Sequence, residues 1–209
     1  MDTLTTHDMV GIIDRMAEVI IDQEVYFCEL DSAAGDGDFG MSLAKGFKEL
    51  KREWASLPKE TIGRFLKECG MLITEHCGGA SGPIWGSAFR AMGKYAAEKT
   101  ELNLTELAEL FQSAVNGVQK RGKAKLGDKT LLDALIPAAE SLKESAVNGE
   151  DISTAMKKSA DCAVKGAEKT KEFAASKGRA SYLGERSINH PDAGATAIGV
   201  ILTALTSKC

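Results

Sequence analysis

Met9-Val10-Gly11-Ile12-Ile13-Asp14-Arg15-Met16-Ala17-Glu18-Val19-Ile20 carries the repeat from which the architecture follows. Its apolar residues at 9, 12, 13, 16, 19 and 20 recur at intervals of three and four. On a helix they form one stripe, with Asp14, Arg15 and Glu18 turned away from it. The spacing returns at Ile62, Phe65, Leu66, Cys69, Leu72 and Ile73, and again at Leu107, Leu110, Phe111, Ala114 and Val118. Asn103, with Glu106 three residues on, has the pattern of a capping box ahead of that third stripe. Leu131, Leu135, Ala138 and Leu142 make a fourth, and Asp151 can cap a long segment carrying Ala155, Cys162, Gly166 and Phe173. The stretch from Ala193 to Leu205 is almost wholly apolar or small, which predicts deep burial. Helices near Ser42–Trp54 and Ser81–Glu98 bring the expected number to about eight. Alternating β-branched runs with hairpin turns are absent. The expectation is an all-α single domain over residues 1–209, its short connections making neighbours antiparallel in a bundle or closed ring.

Composition narrows the function classes. With 26 basic and 30 acidic residues the net charge is -4, which argues against a nucleic-acid-binding surface. No apolar run reaches the ~18 residues of a membrane span. Met1-Asp2-Thr3-Leu4-Thr5 lacks the basic-then-apolar pattern of a signal peptide, so a cytoplasmic protein is expected. Aromatics are only 6%, leaving aliphatic and small side chains to fill the core. Cys28, Cys69, Cys77, Cys162 and Cys209 form no CxxC pair, and His7, His76 and His190 no HxxxH pair, so reduced thiols without zinc are expected.

Four segments combine glycine with aspartate, serine or arginine: 30–40, 78–82, 121–130 and 177–192. Loops held by a rigid scaffold are where sites are usually built. In the first, Asp31, Asp36 and Asp38 lie among Gly35, Gly37 and Gly40. Carboxylates gathered there repel one another unless a cation neutralises them, and hard oxygen ligands suit magnesium or calcium. The bland alternative is an acidic loop facing water. Gly78-Gly79-Ala80-Ser81-Gly82-Pro83 leads into a helix, where backbone amides favour an anion and Ser81 can act as cap; taken alone, the segment reads more readily as a tight helix–helix turn. In Arg121-Gly122-Lys123-Ala124-Lys125-Leu126-Gly127-Asp128-Lys129-Thr130, Asp128 or Thr130 is the candidate cap, and Gly122 allows a flat ring against backbone. Its basic residues either serve phosphates or are simply solvated. In the last segment Arg179 is the best candidate for a bidentate phosphate contact, while Asp192 and Gly194 precede the final helix as cap and turn.

Taken together, Gly-Asp-Gly-Asp-Phe-Gly at 35–40, Gly78–Pro83, Arg121–Thr130, and Gly-Arg-Ala-Ser-Tyr-Leu-Gly-Glu-Arg-Ser at 178–187 with Pro191–Ala195 resemble the ADP-binding L subunits of bacterial dihydroxyacetone kinases of the phosphotransferase-system-dependent type. The resemblance runs over essentially the whole chain. It implies a closed barrel of eight antiparallel helices with nucleotide-binding loops at one end. It also implies two magnesium ions held by Asp31, Asp36 and Asp38, and a tightly bound ADP or ATP. The nucleotide would be contacted by Phe39, Gly40, Met41, Ser42, Gly79, Ala80, Ser81, Gly122, Thr130, Leu131, Arg179, Asp192, Ala193 and Gly194. Arg179 would be the catalytic residue. Many relatives have His at the position of Phe39 and Asn at that of Ser42, which leaves backbone but not side-chain roles there intact. The implied partners are a K subunit that holds the ketose and an M subunit whose phosphohistidine recharges ADP. A transcriptional regulator is a further implied partner. Two alternatives stand beside this: an ATP-exchanging kinase subunit for a related ketose such as a tetrulose, and a nucleotide-loaded regulatory module that binds a regulator or partner enzyme without itself supporting turnover.

Overall fold

Every stripe marks a helix, although the segment capped by Asp151 leaves the α-helix at Lys169 and Phe173 is extended, and most of the expected caps do their work. The computed structural model describes residues 3–207. Its α-helices are α1 (Thr6–Asp22), α2 (Glu24–Ser32), α3 (Phe39–Arg52), α4 (Ile62–His76), α5 (Ser81–Ala96), α6 (Leu104–Gly122), α7 (Leu132–Val147), α8 (Ile152–Lys169) and α9 (Ala193–Thr206). Asn103 accepts from the Glu106 amide while Glu106 accepts from the Asn103 amide, both at 2.9 Å, completing the box in front of α6. Asp151 accepts from the Ser153 and Thr154 amides at the head of α8. Thr5 and Asp8 form a second box, unforeseen, ahead of α1.

Nine helices stand among the described residues where eight were expected, and α2 is the addition. Gln23 keeps a near-helical backbone (φ -93°, ψ 10°); its amide bonds Val19 O and its carbonyl accepts from Phe27. Thus α2 continues α1 past a break. Phe27 alone is buried on it, too short a stripe to read from sequence. A second correction concerns strands: β1 (Thr3–Thr5) and β2 (Glu101–Asn103) pair antiparallel, Leu4 opposite Leu102. Three residues are too few to show alternation.

Consecutive helices from α3 to α9 pack on one another, α3 lies along both α1 and α2, and α9 returns to α1, so the packing order closes into a ring. The last helix touches α1, α7 and α8. That explains why it carries no charged residue: Ala195, Ala197, Ile198, Ile201 and Leu202 are all buried. Phe27, Phe47 and Phe65 are fully buried, each contributing roughly 2–3 kcal/mol by leaving water. Inside the ring a cavity of about 760 Å³ is walled mainly by apolar side chains such as Met16, Phe89, Leu110 and Phe111. Cys28, Cys69, Cys77 and Cys162 are free thiols, and burial pushes Cys77 up to about 12. Cys209 and the first two residues of the amino-terminal reading lie outside the described residues. Among the described residues no helix is long and apolar enough to cross a membrane.

Candidate functional site

The ring turns four helix starts toward one end. Phe39 of α3, Ser81 of α5, Leu131 just ahead of α7 and Ala193 of α9 all line a single open cleft of about 220 Å³. The first amides of a helix have no partner within it and carry the positive end of its dipole, so four starts around one cleft favour an anion. The larger cavity is walled almost wholly by apolar side chains, so an anion fits the cleft better.

At one side of the cleft, carboxylate oxygens of Asp31, Asp36 and Asp38 lie within 4.8 Å of one another. Asp31 sits on the last turn of α2 rather than in a loop, and its Oδ2 accepts from the Gly37 amide at 2.9 Å and from Phe39 at 3.4 Å. A Cβ on residue 35 would stand 2.1 Å from Asp31 Oδ1, which is why glycine is needed there. Burial pushes the Asp31 carboxyl above its ordinary value; the two amides oppose this, and the charges of Asp36 and Asp38 add to it. Arg179 closes the cluster from the far segment, its Nη1 2.5 Å from Asp36 Oδ2. Three hard oxygen donors with one guanidinium among them retain an excess of negative charge. The donor set therefore fits magnesium.

Arg179 lies in a short 3-10 stretch, Arg179–Ser187, that bends at Gly184 (φ 55°, ψ -128°), where an open loop was expected. Asp192 caps α9, its Oδ2 accepting from the Ala195 amide at 2.7 Å, and burial lifts its carboxyl to about 7. Ser81 was expected to cap α5. It is instead the first residue of that helix, which starts behind Ala80 without a side-chain cap. Of the two cap candidates for α7, Thr130 Oγ1 accepts from the Leu132 amide at 3.2 Å. Asp128 serves a different purpose, accepting from the Lys125 amide and from Ser176 Oγ.

Fourteen of the seventeen residues singled out from sequence border the cleft: Asp31, Asp36, Asp38, Phe39, Ser42, Gly79, Ala80, Ser81, Thr130, Leu131, Arg179, Asp192, Ala193 and Gly194. The structure sets the other three apart. Gly40 packs against α2, where a Cβ would meet Glu24 O at 2.0 Å. Met41 directs its amide to Cys28 Sγ and exposes its side chain. Gly122 lies behind Ile84, which takes its place on the wall. Ile84, Trp85, Leu30 and Lys129 line the cleft without having been foreseen. Ile84 and Trp85 follow the Gly78–Pro83 turn on the first turn of α5, a proximity that could have flagged them.

Residues 33–207 match the DAK2 domain. The chain belongs to the DAK2 domain family. This DAK2 chain is 34% identical to the PEP-dependent dihydroxyacetone kinase ADP-binding subunit DhaL of Escherichia coli K12, over 97% of each chain. It is 37% identical to an ADP-binding subunit DhaL of PEP-dependent dihydroxyacetone kinase 2 from Listeria innocua, over 93% of this chain and 90% of that one. The D-erythrulose kinase of Mycolicibacterium smegmatis is 33% identical over 90% of this chain, which spans only 33% of that larger protein. The crystal structure of the dihydroxyacetone kinase from C. freundii in complex with AMP-PNP and Mg2+ superposes with a TM-score of 0.78. Identity there is 25%, over 96% of this chain and 34% of that chain.

Proposed function

We propose that this chain is the nucleotide-carrying subunit of a cytoplasmic dihydroxyacetone kinase. In this reading it relays a phosphoryl group from a phosphohistidine on a donor M subunit to dihydroxyacetone held by a separate K subunit. The observation that carries the reading is the meeting of three aspartates with Arg179 and four helix starts in one cleft. Bound there, two magnesium ions and an adenine nucleotide would supply charge neutralisation and the phosphoryl carrier.

The chain's own residues do the positioning. Asp31, Asp36 and Asp38 would hold the metal, with Asp31 oriented by the Gly37 and Phe39 amides. The amides of Gly79 and Ala80, the Ser81 hydroxyl and the head of α9 at Ala193 and Gly194 would receive phosphate oxygens, the Ser81 amide being engaged by Gly78 O. Arg179 would grip the transferring group, and the Leu131 and Ile84 side chains would flank the base. Phosphoryl transfer asks mainly for alignment and electrostatic stabilisation, and the cleft offers both without a nucleophile of its own.

The test is direct. The protein is dialysed extensively with magnesium and acid-denatured, and the released nucleotide is identified by chromatography. About one ADP per chain surviving dialysis supports a nucleotide recharged in place. A second reading, an ATP-exchanging subunit for a tetrulose, is favoured by the match to the erythrulose kinase; an empty protein that binds added ATP reversibly supports it. No nucleotide in either condition overturns both.

A further inference from the structure

Lys129 departs from every expectation for a lysine in a basic, glycine-rich segment. It is 2% exposed, and its Nζ donates to three main-chain carbonyls: Thr170, His190 at 2.7 Å and Phe173 at 3.2 Å. Three acceptors match the three N–H bonds of an ammonium; a neutral amine would have only two to give. Burial works against the charge, and the nearby carboxylates of Asp192 and Asp133 work for it. The backbone at Lys129 is left-handed (φ 59°), a conformation that side chains other than glycine and asparagine rarely adopt. The fold accepts that strain to bring this ammonium inward.

The three carbonyls have a common meaning. Thr170 and Phe173 stand at the start of the segment that carries Arg179, and His190 stands at its end. Asn189 N–H donates to Lys171 O at 2.9 Å and Asp192 N–H to Thr170 Oγ1 at 2.8 Å, closing the same base. Ser176 donates its hydroxyl to Asp128 Oδ1 at 2.7 Å and its amide to Asp128 O at 3.2 Å, pinning the segment to the residue beside Lys129. Beyond that base Arg179, with a largely exposed side chain, reaches across the cleft to Asp36.

We propose that Lys129 is a positioning residue: its buried ammonium clamps both ends of the 170–192 segment and thereby fixes Arg179 over the aspartate cluster. The proposal rests on the reading of Arg179 as a phosphate contact. Lys129 acts through Arg179 and makes no ionic contact with the nucleotide itself, because all three of its N–H bonds are spent on carbonyls.

The test uses the full chain with Lys129→Met, which keeps the length of the side chain and removes the charge. Hydrogen exchange over 174–189 should speed up while α4 and α5 stay protected, and magnesium-dependent ADP binding should weaken roughly tenfold or more, the scale of one lost charged hydrogen bond. A general packing defect would also weaken binding, so the deciding measurement is a cycle with Arg179→Ala. Adding Lys129→Met to Arg179→Ala should cost no further affinity. An additive loss, or wild-type exchange over 174–189, overturns the clamp. Failure of the wild-type protein to bind ADP counts against the proposed function instead, and the exchange arm still decides the clamp. Should Lys129→Met not fold, the wild-type ammonium is observed by 15N NMR. Slow solvent exchange with couplings to three carbonyl carbons is expected, and rapid exchange overturns the assignment.

Discussion

Arg179 Nη1 lies 2.5 Å from Asp36 Oδ2, so the guanidinium and a carboxylate of the acidic cluster neutralise each other across the cleft. Both side chains are partly exposed, and such a pair is worth little to stability. Its significance lies in competition, because the arginine occupies charge that a metal also seeks. Arg179→Ala is therefore expected to bind Mn2+ at least as well as wild type when no nucleotide is present, read by electron paramagnetic resonance. The same variant should lose ADP retention by about tenfold or more, since the proposed phosphate fork would be gone. Weaker metal binding with unchanged ADP retention would contradict both roles.

Asp36→Asn removes one charged ligand and leaves Arg179 unpaired. Magnesium-dependent nucleotide retention after dialysis should vanish while the circular dichroism of the helices is preserved. A variant that carries ADP through dialysis and supports turnover with its partner subunits would refute the metal assignment.

Acidity should release the metal early. Burial, reinforced by Asp36 and Asp38, raises the Asp31 carboxyl, so as pH falls Asp31 takes up a proton before an ordinary aspartate would. Mn2+ affinity measured across a pH series should begin to fall above the normal aspartate range. A curve that breaks only near 3.8 would contradict the burial argument.

Asp192 has the opposite consequence for stability. Its folded-state value of about 7 stands above the ordinary 3.8, so the native state holds this proton more tightly than the unfolded chain. The contribution is complete below about pH 4 and is lost as pH rises toward 7. Thermal unfolding followed from pH 4 to 7 should show a decline that Asp192→Asn flattens, since asparagine can still accept from the Ala195 amide. An unchanged slope in the variant would assign the decline elsewhere.

Asn103→Ala tests the helices apart from the site. Losing the box at the head of α6 should cost about 1 kcal/mol, lowering Tm by roughly 2–4 °C in a chain of this size. ADP retention should not change.

What the sequence revealed depended on how many residues carried each signal. The stripe from Met9 to Ile20 spans three turns and points to α1 directly, whereas α2 buries only Phe27 and left Asp31 looking like a loop residue. The residues that gather round the cleft were visible because glycine and aspartate punctuate them locally. Lys129 was not: its partners lie 41 to 61 positions away, and nothing in a run of lysines distinguishes the one that turns inward. Gly40 shows the converse, a glycine whose smallness serves helix packing beside the site rather than the cleft wall.

The direction of the helices settles how this unit can be joined to others. α9 starts at the cleft and runs 14 residues, about 20 Å, away from it, while α1 begins beside β2 and climbs toward the cleft. Thr3 and Thr206 therefore both emerge at the opposite pole. A tether spliced to either of them would leave the mouth of the cleft unobstructed. The same unit can thus stand by itself or be fused into a chain three times its length without rebuilding the cleft.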